Sequence, residues 1–84
     1  MPLVNPALDD VVNIRKQGLY LAQGSSGNPI CANKPTANEW YYLIAFPTHF
    51  SARFLVFAVK TDVSKVYGAV VDNTASSVSW NTLI

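Results

Sequence analysis

Residue types that carry out chemistry are scarce in this chain, and their spacing excludes more than it suggests. Cys31 is the only cysteine and His49 the only histidine. A catalytic thiol needs an adjacent base to become a thiolate, and His49 is the only candidate base. Cys31 lies in a segment bracketed by Pro29 and Pro35, while His49 lies in a separate turn, and nothing in the pattern joins them. Cys31 therefore reads as a buried structural thiol, and a lone cysteine has no intramolecular disulfide partner. The five carboxylates, Asp9, Asp10, Glu39, Asp62 and Asp72, show no metal-ligand spacing, so no metal or cofactor is expected. Glycoside hydrolysis needs two acids facing each other at about 5 to 10 Å. These acids flank strands and turns, where solvation and turn chemistry suit them better. Gly24-Ser25-Ser26-Gly27 matches neither a nucleophile elbow nor a phosphate loop. The chain is expected to be non-enzymatic.

Recognition chemistry has more to work with. Trp40, Tyr41 and Tyr42 can form a stacking platform for the apolar face of a sugar, with hydroxyl tips to hydrogen-bond. Alternation places Trp40 and Tyr42 in phase with Ile44 and Phe46, which predicts burial for that pair and leaves Tyr41 as the better candidate for exposure or an intersubunit contact. His49 and Phe50 occupy a turn close to Arg53, a cation beside an aromatic on a loop, where ligand contacts concentrate. Tyr41, His49, Phe50 and Arg53 are the ligand-binding candidates. A solvated turn histidine is the plainer reading of His49, and a core plug is that of Trp80.

The elements that position these residues are strands. Met1 to Pro6 holds two prolines and reads as an extended lead-in, so residues 1–7 are assigned as a linker or shaft stub and 8–84 as one domain. Leu8 to Val12 can seed a turn or short strand, with Asp9 and Asp10 solvated or capping. Strands are predicted over Gly18 to Gln23, Glu39 to Phe46, Arg53 to Lys60, Val66 to Asp72 and Val78 to Ile84. Gly24 to Pro29 is a loop, and the prolines at 29 and 35 make the intervening segment irregular. No apolar stripe of helical period persists, and residues of high β propensity dominate. The expected class is all-β, a small antiparallel β-sandwich-like domain.

The strands from Trp40 and from Arg53 are apolar on both faces, which requires packing on both surfaces. A chain of 84 residues builds a single thin core, and domains this small often rely on disulfides, metals or oligomerisation. With the first two excluded, self-association remains. Half of the residues are hydrophobic and 13% are charged, more apolar surface than one small core hides. The net charge of +1 and the scattered basic residues give no stripe for nucleic acid. The apolar runs fall far short of the roughly 20 residues of a spanning helix, so no membrane insertion is expected. Met1 opens no recognisable signal peptide.

The order of the pieces resembles the knob, or head, domain of phage tail fibres and R-type pyocin fibres. The resemblance runs over residues 8–84. It is carried by Leu8-Asp9-Asp10, Gly18-Leu19-Tyr20, the Gly24 to Asn28 loop, Asn33-Lys34-Pro35, the strands from Trp40 and Arg53, Lys65-Val66-Tyr67, and the ending Ser79-Trp80-Asn81-Thr82-Leu83-Ile84. Ala69 and Val78 stand where the family often has Arg and Trp. The resemblance implies a homotrimeric receptor-binding tip on the virion's tail fibre, attaching to a bacterial surface glycan, either lipopolysaccharide or capsule. Two other readings stand beside it: a structural domain that trimerises and caps a fibre, and a small glycan depolymerase.

Overall fold

The structure is a computed structural model that describes residues 5–84. Five strands form one antiparallel sheet in simple sequence order: β1 (Gly18–Ala22), β2 (Tyr41–Pro47), β3 (Arg53–Lys60), β4 (Val66–Asp72) and β5 (Asn81–Thr82). The all-β expectation holds, the only helical element among the described residues being a turn of 3-10 helix over Val11–Asn13. Asp10 caps that turn, its carboxylate accepting the Val12 N–H at 3.1 Å.

Register explains how the sheet divides its side chains. Leu43 pairs with Tyr20 on one side and Ala58 on the other, and Ala45 pairs with Val56, which in turn pairs with Ala69. These residues share one face and are buried together with Tyr41, Phe54 and Val71. Chain outside the strands covers that face: Leu8, Val11, Ile14 and Cys31 belong to the same buried cluster, and Val78 and Trp80 pack against it. The second layer expected of a sandwich is thus irregular chain among the described residues. Pro29 and Pro35 each lack the N–H that a central strand would use, and the one ladder contact in this region is a bridge between Asp10 and Ala32.

The covering layer is tied down by polar contacts. Asn33 donates from Nδ2 to the Asp10 carboxylate at 2.8 Å, and its carbonyl accepts the Trp80 indole N–H at 2.7 Å. Asn33 sits at φ 64°, a left-handed conformation that asparagine tolerates better than most residues. Trp80 is therefore a plug, as the sequence suggests, with its one polar atom satisfied. Lys34 is the only buried charged residue among those described, 8% exposed. Its ammonium donates to the carbonyls of Cys31 at 2.6 Å and Ala37 at 2.9 Å, so it clamps its own loop from inside. Lys34→Met keeps the apolar stem and strands both carbonyls, and is expected to cost about 2 kcal/mol in a denaturant titration.

Of the lead-in, residues 1–4 lie outside the described residues. Asn5 donates its backbone N–H to the Leu19 carbonyl at 2.8 Å, and Leu8 N–H reaches Leu21 O at 3.4 Å, so this part of the chain runs along the outer edge of β1. On the opposite edge, β5 is shorter than the predicted Val78 to Ile84, but Leu83 and Ile84 N–H both reach the Val66 carbonyl. Both edges are partly covered, which limits edge-to-edge association.

The β3–β4 turn contains a strained position. Val63 has φ 57° and is well exposed, so a β-branched residue occupies a left-handed well with no packing to hold it there. Val63→Gly is expected to raise stability by about 1 kcal/mol, read as a higher melting temperature.

Candidate functional site

The hairpin joining β2 to β3 brings three of the four ligand-binding candidates together. Thr48 organises the turn: its hydroxyl oxygen accepts the Phe50 N–H at 3.2 Å and lies 2.8 Å from the Arg53 carbonyl. This local hydrogen bonding is what threonine supplies in turns. Arg53 N–H closes the loop on the Phe50 carbonyl at 3.1 Å. The His49 and Phe50 ring centroids then lie 4.2 Å apart, and the Arg53 guanidinium carbon is 4.7 Å from the centre of the Phe50 ring. Phe50 remains 50% exposed. Arg53 Nε also donates to Asp72 at 3.4 Å across the β3–β4 register. The Asp72 carboxyl is held below its ordinary range, chiefly by the Thr74 hydroxyl and N–H and secondarily by Arg53. The result is a tip with an accessible ring, a fixed cation and an imidazole, suited to polar ligands with apolar patches.

Tyr41 is elsewhere, and its expected exposure is corrected. It is 0% exposed, at the opposite end of β2 from the hairpin, while Tyr42 is 45% exposed. The alternation holds, but the covered face is the one that carries Tyr41, and Tyr42 lies on the open one. Tyr41 shares its phase with Leu43 and Ala45, the face that the irregular layer covers, and its ring packs edge-on against Tyr67 at 5.9 Å. Its hydroxyl pairs with that of Thr36 at 2.7 Å, and burial first of all raises its pKa. Trp40 is half-buried, its indole N–H on the Ser25 carbonyl at 3.3 Å.

The larger feature is a whole face of the sheet rather than a cluster of side chains. The other face of the sheet, formed by Leu19 and Leu21 of β1, Tyr42, Ile44 and Phe46 of β2, Leu55, Phe57 and Val59 of β3, and Val66 and Val70 of β4, carries no charged residue in its central rows and has no covering layer among the described residues. Tyr42, Ile44, Phe46, Leu55 and Val70 are all exposed. Residue size was the available signal. Ala22, Ala45, Ala58 and Ala69 all fall on the covered face, where a second layer presses close, and the open face has no alanine.

The remaining carboxylates are engaged locally. Glu39 pairs with Lys60 and accepts from Thr36, Asp62 accepts from Ser64 N–H and hydroxyl, and Asp9 accepts from Asn13. No group of three or more metal-ligating side chains stands together among the described residues, and no helix among them is long and apolar enough to cross a membrane. Cys31 is buried, as expected, and burial pushes its thiol up to about 12 from an ordinary 9.0. A folded-state pKa above the unfolded one means that stability is fully present below pH 9.0 and falls as pH rises toward 12. Alkaline titration of stability is expected to show that decline, with Tyr20 and Tyr41 adding to it above their ordinary 10.0. Cys31→Ala should make the onset shallower.

Comparison with protein-family models, with curated proteins and with solved structures finds no match to the chain.

Proposed function

We propose that this domain is a self-associating, non-catalytic binding module, the receptor-binding tip of a phage or phage-derived tail fibre, which acts as a homotrimer attached to bacterial surface polysaccharide. One observation carries the self-association: a sheet face of large apolar side chains, uncharged in its central rows, left open on the single chain. Monomeric proteins rarely expose such a contiguous surface, and where they do it marks an interaction site. When the open faces of three copies turn toward a common axis, the apolar side chains of each sheet pack against both neighbours, and the second layer then forms between chains.

The fibre and the saccharide come from the resemblance of residues 8–84 to knob domains. The hairpin tip supplies the contact, with Phe50 stacking on a sugar face and His49 and Arg53 addressing its hydroxyl or acidic groups. Three copies multiply a weak single-site affinity. A fibre-capping domain without a ligand of its own is the second reading, favoured because Arg53 is already engaged by Asp72.

The test is binding of the purified oligomer to a panel of immobilised bacterial lipopolysaccharides and capsules, alongside the H49A/R53A double variant. Retention on at least one polysaccharide, lost in the variant at unchanged mass, supports the receptor-binding reading. Absence of binding across the panel, with the oligomer intact, leaves the capping reading. Release of reducing ends from the polysaccharide overturns the non-catalytic assignment.

A further inference from the structure

Within the open face, Gly68 makes a notch. It lies opposite Phe57 in the β3–β4 register, so a row that is otherwise filled by large side chains has a gap. The notch is a shallow, open cavity of about 230 Å³ bounded by Leu55, Phe57, Val70, Asn81 and Leu83. An apolar cavity of about 150 Å³ already holds a benzene ring.

The backbone does not require glycine at this position. Gly68 is buried but not in the left-handed range, and an added Cβ would press the far end of the Leu83 side chain at 3.3 Å, which must give by a few tenths of an ångström, and touch the Phe57 ring at 3.6 Å. Glycine inside a strand weakens it and often marks a place where another chain approaches closely.

We propose that this notch is the lock of the interface between copies and that it receives the Phe46 ring of a second copy. The inference rests on the self-association proposed above and names its registering contact. The occupant follows from elimination among the exposed aromatics. Phe50 lies in the hairpin between β2 and β3, off the strands that form the face. Tyr42 would carry its hydroxyl into a mostly apolar site. Phe46 is 48% exposed, has no polar atom, and is held edge-on by Phe57 with centroids 6.1 Å apart, so little freedom is lost when it docks. A charged partner is disfavoured because the rows around the notch carry no charge, and Arg53 and Asp72 at the end of the face already pair with each other.

The available surface suits a second copy. The five exposed side chains of the face supply about half of the roughly 800 Å² that one partner gives a standard interface, with partly exposed neighbours on the same strands adding to it. Knob and notch lie on different strands, so one copy's Phe46 entering the next copy's notch is a heterologous contact, which a closed ring repeats without leaving a notch empty.

Sedimentation velocity over a concentration series of the full chain, for wild type, Gly68→Val and Phe46→Ala, tests the lock. Valine suits a strand and fills the notch. Each variant is expected to weaken association about 30-fold or more, as loss of an interface anchor does, while at dilutions where both proteins are monomeric Gly68→Val melts no lower than wild type. Phe46→Leu, which keeps an apolar group against Phe57, should show the same direction and guards against a folding defect in Phe46→Ala. An oligomeric wild type whose variants all keep its mass overturns the lock and leaves self-association standing. Loss of mass with Gly68→Val but not with either Phe46 variant overturns Phe46 as the occupant. A monomeric wild type overturns both proposals.

Discussion

Ile44→Lys is expected to convert the self-associated protein into a folded monomer. Ile44 lies mid-strand on the open face, between Leu19 of β1 and Phe57 of β3. In the isolated chain a lysine there keeps its stem on the sheet and its ammonium in water, at a cost below about 1 kcal/mol. In the assembly the same ammonium is enclosed among apolar side chains without a counter-ion, which costs several kcal/mol. About 4 kcal/mol corresponds to a thousand-fold weaker association, enough to abolish it at micromolar protein. Light scattering should give the monomer mass while the circular-dichroism spectrum stays that of wild type. An unchanged oligomer would show that this face is not the interface.

One residue earlier the expected outcome is the opposite. Leu43 is completely enclosed between Tyr20 and Ala58 under the irregular layer, so Leu43→Ala removes buried contacts and leaves a cavity. Such truncations cost about 2–5 kcal/mol. A domain of this size has only about 0.05–0.15 kcal/mol of stability per residue, so much of the total is lost. A loss of about 3 kcal/mol lowers the melting temperature by roughly 12–24 °C. The measurement belongs at low protein concentration, where association contributes least to apparent stability. A melting temperature within a few degrees of wild type would mean that the covered and open faces have been assigned the wrong way round.

That pair of neighbours also shows what the sequence made legible. The ranges of β3 and β4 follow from alternation and bounding turn residues, and both strands occupy the predicted spans. Alternation fixes which residues share a face but not which face is covered, because both faces of β2 and β3 are apolar. Tyr41 and Tyr42 were exchanged for that reason. The alanines at 22, 45, 58 and 69 are the compositional trace of the covered side. Segment 30–34 was legible as irregular or an edge from its bracketing prolines, but its place as a cover over the sheet was not. Lys34 secures it through the carbonyls of Cys31 and Ala37, and backbone acceptors leave no mark in the residue pattern. The hairpin cluster was found because a turn keeps His49, Phe50 and Arg53 near one another whatever the rest of the chain does. The link from Arg53 to Asp72 depends on strand register and came only with the fold.

Molar mass in solution, measured by light scattering over a wide range of protein concentration, reaches the central proposal most directly. Three chains per particle, persisting down to micromolar protein, is the expected result. A single chain of 9.2 kDa that stays single at millimolar concentration would contradict it, because the open face would then be in water with nothing to cover it.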